Sequence, residues 1–322
     1  MRYRTLGRTG LEVSELGYGA WGIGQAMWQG ATDEESLRAL RLAIERGVTF
    51  VDTALAYGDG HSERLVGKVV GESPERVAVA TKVPPKNGQW PARAGVAVDK
   101  VFPGKWIRDC TERSLEHLRL EAIDVQQLHV WSDEWVGEGD WLETVEALKA
   151  EGKIRFFGVS INDHEPENAL ALIASGAVDT VQVIYNVFDQ SPEAELFPAA
   201  QAANVGVIAR VPFDEGALTG RVTPSTEFPP GDFRNEYFAG DRKLEVWERV
   251  QAIVLDLGIG LEDLPELALR FCISHPAVST VIPGMRSTGS VESNVAAVDL
   301  GPLSDEQIAV LRRHSWQRSF YA

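Results

Sequence analysis

Four titratable side chains of different kinds stand at or just beyond short apolar runs. Asp52 ends VTFVD, Tyr57 follows five residues later, Lys82 ends VAVATK, and His129 closes the run IDVQQLH. A carboxylate, a phenol, an ammonium and an imidazole can together hold a proton, pass it on and offset the charge that moves with it. Singly, each has an ordinary reading. Asp52 can cap a helix, Tyr57 can be a half-buried aromatic, Lys82 can snorkel from a loop, and His129 can be a satisfied core histidine. Their joint placement outweighs those readings. In a parallel barrel all strand C-termini open on one face, so residues distant in sequence converge on one rim.

The elements that must position them alternate. Candidate strands are Leu16–Gly19, Thr49–Thr53, Val77–Thr81, Ile123–His129, Ile154–Ser160, Thr180–Ile184, Val205–Ala209 and Thr280–Ile282. Amphipathic stretches lie between them. Thr32 and Glu35 form a capping box before Leu37, Leu40 and Ile44, and Gly47 closes that helix. Asp140 opens WLETVEALKA, which ends at Gly152. Residues 163–176, 244–258 and 262–274 read likewise, and Ser304 with Gln307 caps a last helix over 304–314. Eight strands alternating with helices predict a (β/α)₈ TIM barrel, an α/β fold, as a single domain over residues 1–322. The Pro- and Gly-rich stretches 83–104 and 211–240 are then long loops on the catalytic face, where sites concentrate. A rival reading is a Rossmann fold, because Gly17, Gly19 and Gly22 match G-x-G-x-x-G after a strand. That motif needs its glycines to open the phosphate-binding helix, yet the helix begins near Thr32, some ten residues further on.

Composition narrows the function. The 322 residues are 44% hydrophobic and 24% charged, with 47 acidic against 31 basic side chains and a net charge of −16. No Lys/Arg block rises above that background, which argues against a nucleic-acid binder. An anionic cofactor must then be held by a few placed cations. Cys110 and Cys272 lie in apolar helical patterns, and with six histidines they supply no metal or disulfide spacing. No apolar run is long enough to span a membrane and the first residues lack a signal-peptide core, so the cytoplasm is the expected location.

The segment VTFVDTALAYGDGHSERLVGKVV resembles the aldo-keto reductase pattern of an Asp, a Tyr five residues on and a G-x-S-E-x-x-x-G run after the second strand. Lys82 and His129 match that family's lysine after the third strand and histidine after the fourth. FFGVS (156–160), VQVIYN (181–186), VPFDEGALTGR (211–221) and LALRFCISHPAVSTVIPGMRS (267–287) follow in family order. The opening RYRTLGRTGLEVSELGYGAWGIG resembles the family's N-terminal β-hairpin and first strand.

The resemblance implies reduction of an aldehyde, ketone or sugar carbonyl with NADPH, NADH being possible, and no metal. Tyr57 would protonate the carbonyl oxygen, Lys82 would ease loss of its proton, Asp52 would keep Lys82 charged, and His129 would hydrogen-bond the same oxygen. Ser160 and Gln182 match the partners of the nicotinamide carboxamide, beside Asp52 and Trp21. Arg210, Val211, Pro212, Phe213, Gly216, Leu218, Gly220 and Arg221 occupy the loop along the pyrophosphate. Gly284, Arg286, Ser287 and Asn294 match the adenine end, where Arg286 can pair with a 2′-phosphate. The family's Asn after GVS is replaced by Ile161, with Asn162 one place later. Its Tyr-Ser before the proline is Arg210-Val211, and its glutamine four residues before Asn294 is Ser290. Arg210 would either stack on the nicotinamide or pair with Asp214 or Glu215. Trp21, Trp28, Trp90 and Trp131 fall near the rim, Trp21, Trp90 and Trp131 being the candidate substrate contacts, with Trp131 foremost. The same residues admit an oxidising sugar or alcohol dehydrogenase. The fold also admits a cofactor-binding regulatory subunit, as in the β subunits of potassium channels.

Overall fold

The β-branched runs form strands whose two faces are both covered, which is why they read as continuous apolar segments rather than alternating ones. The computed structural model describes residues 1–25 and 27–318. An antiparallel hairpin of β1 (Tyr3–Thr5) and β2 (Glu12–Ser14) comes first. The sheet that follows comprises β3 (Tyr18–Gly19), β4 (Phe50–Asp52), β5 (Ala78–Val83), β6 (Ile123–Leu128), β7 (Ile154–Ser160), β8 (Thr180–Ile184), β9 (Gly206–Arg210) and β10 (Val278–Val281). All neighbours are parallel and in chain order. Parallel bridges from Leu16 to Val281 and from Gly19 to Gly284 join the two edges. A Cβ at Gly19 would lie 2.6 Å from the Ile282 carbonyl oxygen, so only glycine permits that approach. This is the expected (β/α)₈ barrel with its hairpin.

Helices α1 (Asp33–Glu45), α2 (His61–Glu72), α3 (Val98–Val101), α4 (Gly104–Leu118), α5 (Trp141–Ala150), α6 (Leu170–Ser175), α7 (Leu196–Ala202), α8 (Arg234–Tyr237), α9 (Arg242–Leu257), α10 (Leu264–Ser274), α11 (Thr288–Asp299) and α12 (Asp305–Arg312) connect or follow the strands. Ser304 and Gln307 form the expected reciprocal box at α12. At α1 only half of the box exists, Thr32 Oγ1 accepting from the Glu35 amide at 3.3 Å. Asp140 does not cap α5; its Oδ1 accepts from the Gly104 amide at 2.7 Å and so holds the start of α4.

The predicted helix 163–176 shortens to α6. Residues 161–169 are loop on the catalytic face, and Asp133 caps α6 from outside by accepting from the Ala171 and Leu172 amides at 2.7 and 3.2 Å. Strand ends shift by one or two residues. The largest consequence is that Lys82 lies inside β5, one residue before its end, paired in register with Gln127 of β6. Cys110 and Cys272 are buried free thiols. Among the described residues no helix is long and apolar enough to cross a membrane.

Candidate functional site

The ends of β4, β5 and β6 carry a buried polar knot. Asp52 is the last residue of β4, and its Oδ1 accepts from Lys82 Nζ at 2.5 Å. Its Oδ2 accepts from Gln182 Nε2 at 2.7 Å and from Gln127 Nε2 at 3.2 Å. Lys82 has no exposed surface. Its ammonium also donates to the Thr53 carbonyl at 2.9 Å and to Tyr57 Oη at 3.2 Å, which uses all three donors. Tyr57 stands in the turn after β4, where its amide donates to the Ala54 carbonyl. Gly58 follows with φ 66°, and a Cβ there would sit 2.1 Å from the Gly24 carbonyl oxygen, so the turn that presents Tyr57 depends on that glycine. His129 begins the loop after β6, tied back by its amide to the Val83 carbonyl. Its ring lies edge-on to Tyr57 with centroids 5.6 Å apart.

These contacts set the protonation states. Burial pushes the Tyr57 phenol above its usual 10, and the Lys82 charge opposes that rise, so Tyr57 keeps its proton at neutral pH. Burial alone would depress Lys82; the charges of Asp52 and Tyr57 overrule it and hold the ammonium above 10.5. Burial, then the charges of Lys82 and Arg210, drive His129 well below 6.5, so the imidazole is neutral. Its Nδ1 is buried with no partner among the described residues, and the residue lines the cleft.

Asp52, Tyr57 and His129 line one end of a cleft of about 1690 Å³. Along its wall lie Trp21, Ser160, Gln182, Arg210, Val211, Pro212, Phe213, Gly216, Arg221, Gly284, Arg286, Ser287 and Asn294, all expected there. Leu218 and Gly220 are not on that wall: Leu218 is fully buried and Gly220 ends the short helix after β9 in a left-handed turn. Trp90 lines the cleft edge-on to His129, centroids 4.5 Å apart. Trp131 does not contact it. Its ring is completely buried, packed edge-on against Trp135 and Trp141, with Nε1 donating to Asp133 at 2.9 Å. The residue two places past His129 on the chain points away from the rim into the packing beneath it.

Arg210 pairs with Asp163 at 2.6 Å and donates to the Ile161 carbonyl at 2.9 Å, rather than meeting Asp214 or Glu215 in an ion pair. Asn162 exchanges hydrogen bonds with both backbone groups of Ala92, each at 3.1 Å, and so holds the loop that bears Trp90. Three participants carry no reading from the sequence, Gln127, Asp163 and Arg234, and Glu215 entered only as a candidate partner of Arg210. Gln127 had a signal, since it stands two residues before His129, within β6, and is a polar group inside a barrel. Arg234 lies 4.1 Å from the Trp28 ring and Arg286 5.2 Å from it, and Arg286 Nη1 donates to the Gln29 carbonyl. The Phe233 amide donates to the Met27 carbonyl at 2.9 Å, joining the loop after β3 to the loop after β9 over the cleft. Gly22 leaves room for Arg286, whose Cδ would be 2.6 Å from a Cβ there.

An elongated cleft with a proton-bearing set at one end and guanidinium groups of Arg210, Arg221, Arg234 and Arg286 along it suits an anionic dinucleotide, in a chain whose net charge is −16. Ser287, Gly289 and Ser290 at the start of α11 line its far end, and Asn294 Nδ2 is buried there with no partner among the described residues, a donor awaiting an acceptor. Fold and site together define a barrel oxidoreductase. The model of the aldo/keto reductase family matches residues 15–315. The chain is 31% identical over 301 residues to the aldo-keto reductase YhdN of Bacillus subtilis, covering 91% of this chain and 87% of that one. Among solved structures it resembles the holo form of aldo-keto reductase AKR11C1 from Bacillus halodurans, with TM-score 0.76, 28% identity and coverage of 98% and 96%. It also resembles an aldo-keto reductase from Klebsiella pneumoniae in complex with NADPH, with TM-score 0.68, 29% identity and coverage of 99% and 98%. The chain belongs to the aldo-keto reductase family, and it is an NAD(P)H-dependent oxidoreductase.

Proposed function

We propose that residues 1–322 form one barrel domain that reduces an aldehyde, ketone or sugar carbonyl with NADPH, Tyr57 being the proton donor. The observation that carries this is the ammonium of Lys82, fully buried and shared between Asp52, the Thr53 carbonyl and Tyr57 Oη at the mouth of the cleft. The bound nicotinamide supplies the hydride. Tyr57 holds its proton until negative charge develops on the carbonyl oxygen, and then releases it there. Lys82 lowers the cost of the phenolate left behind, since its charge and hydrogen bond both favour that form. Asp52 keeps Lys82 ionised and aimed. His129, neutral and lining the cleft, donates a second hydrogen bond to the same oxygen. Gln127 and Gln182 fix Asp52 from the other side. Trp21 and Trp90 wall the space in front of Tyr57 and His129 and favour an apolar or ring-shaped substrate.

The test is a screen of aldehydes, ketones and sugars with NADPH and with NADH, followed by loss of reduced-nucleotide absorbance. Turnover on a carbonyl supports the reading. Tight NADPH binding with no turnover on any carbonyl would support a cofactor-binding regulatory subunit instead.

A further inference from the structure

Glu215 is a carboxyl group standing where an anion must pass. The loop after β9 runs through left-handed backbone at Val211, Asp214, Glu215 and Gly216, with φ of 57°, 45°, 53° and 105°. Three of these carry side chains that disfavour that region. The turn sends its two acids to different places. Asp214 goes inward, accepting from Tyr237 Oη at 2.6 Å and facing Arg242 at 3.7 Å. Glu215 is left on the cleft wall, and its carboxyl accepts no hydrogen bond from a described residue.

Its place along the cleft follows from its charged neighbours. Arg210 ends β9 and donates to the Ile161 carbonyl, on the strand-end rim that carries Tyr57 and His129. Arg234 shares the Trp28 ring with Arg286, their guanidinium carbons 4.1 and 5.2 Å from its centroid. Glu215 feels both, together with Asp214 of its own loop and Asp163 of the loop after β7. A dinucleotide with its reactive ring at Tyr57 and its far end at Arg286 has its pyrophosphate between them. We propose that Glu215 meets the cofactor pyrophosphate as the neutral acid and donates its O–H to a phosphate oxygen, so that in alkaline solution cofactor binding takes up a proton. An ionised carboxylate there would repel the phosphate and offer it no donor. The protein supplies the condition: burial, then Asp214 and Asp163, push Glu215 up to about 8 against the pull of Arg210 and Arg234. Asp214 is itself held above its usual value by burial, against Arg242 and Tyr237, with His164 and Asp189 behind it.

The proposal rests on the cofactor reading given above, and the experiment separates the two. NADPH is titrated into the whole protein, by quenching of tryptophan fluorescence, from about pH 7 to about pH 9.5. The wild-type Kd should rise roughly tenfold per pH unit above about 8, as one linked proton requires. Glu215→Gln, which keeps a donor and cannot ionise, should bind NADPH with little dependence on pH across the same range. Calorimetry of the wild type near pH 8.5, in buffers of different ionisation enthalpy, should show net proton uptake, and this measurement decides even if the variant fails to fold. A flat wild-type profile, equal slopes in wild type and variant, or no proton uptake would overturn the assignment of Glu215 while leaving the cofactor reading intact. Absence of NADPH binding near pH 7 would overturn both.

Discussion

In the proposed reaction the phenol of Tyr57 is the group on which turnover depends, because no other acid among the described residues of the cleft combines a retained proton with a bond to a buried ammonium. Tyr57→Phe keeps the ring packing and loses the proton, so kcat should fall by about 10²–10⁴-fold, the usual worth of general acid catalysis, with NADPH affinity nearly unchanged. Wild-type kcat in a step limited by chemistry would remove Tyr57 from the role. Lys82→Met should damage turnover comparably and displace the pH–rate profile, since the phenolate loses its counter-charge. At the other end of the cleft, Arg286 is partly buried between Gln29 and Trp28. A charge-assisted bond to a 2′-phosphate contributes roughly 1.5–3 kcal/mol, so Arg286→Ala should weaken NADPH by about ten- to a hundredfold and leave NADH almost alone. Equal weakening of both cofactors would show that Arg286 does not read the 2′-phosphate.

Elements place these residues, and two loops show how. Arg210 ends β9 and is bound to Asp163, so it ties the loop after β7 to the cofactor cleft. Its fixed charge is felt at Tyr57 and His129, beside the position proposed for a ring that is neutral when reduced and cationic when oxidised. Like charges near 4 Å cost about 1 kcal/mol in water and more at lower effective dielectric. Arg210→Tyr should therefore tighten NADP⁺ more than NADPH in paired titrations; equal changes would leave Arg210 a loop-tethering residue with no say in direction. Asp133 acts on a different element. It caps α6 through two amides while holding the Trp131 indole. Asp133→Ala should lower stability by about 0.5–2 kcal/mol, read as a shift in the denaturation midpoint, with the cofactor Kd preserved. Unchanged stability would mean that water replaces the cap.

The same two loops show what the sequence could and could not disclose. Strand positions and the Asp52–Tyr57–Lys82–His129 rim were legible because apolar periodicity and strand ends are local features. The cap of α6 was not, because Asp133 lies thirty-odd residues away from the amides it satisfies. Trp131 was misplaced for a similar reason: adjacency to His129 along the chain says nothing about which way an indole turns when Trp135 and Trp141 offer it a packed site. Glu215 and Asp163 look like ordinary loop acids until the fold brings Arg210 and Arg234 beside them.

At the scale of the whole molecule, the site is a place where groups are held away from their ordinary charge, and stability should record it as a function of pH. His129 is depressed below 6.5. Its contribution is therefore present above about pH 6.5 and is lost as pH falls, because the unfolded chain takes a proton that the folded one refuses. Glu215 is raised from 4.5 to about 8. Its contribution has the opposite sign: it is fully present below about 4.5 and is lost as pH rises toward 8, because the unfolded chain then ionises a carboxyl that the folded protein keeps neutral. Near pH 8 the full shift would correspond to several kcal/mol at 1.36 kcal/mol per unit. Glu215 is only half-buried on the cleft wall, so solvent screening should leave about 1–3 kcal/mol. Glu215→Gln removes the ionisable group from both states. The variant should match the wild type in denaturant unfolding near pH 4.5 and exceed it by about that amount near pH 8. Parallel stability curves for the two proteins, with no divergence between those limits, would show that Glu215 ionises in the folded cleft as readily as in the unfolded chain.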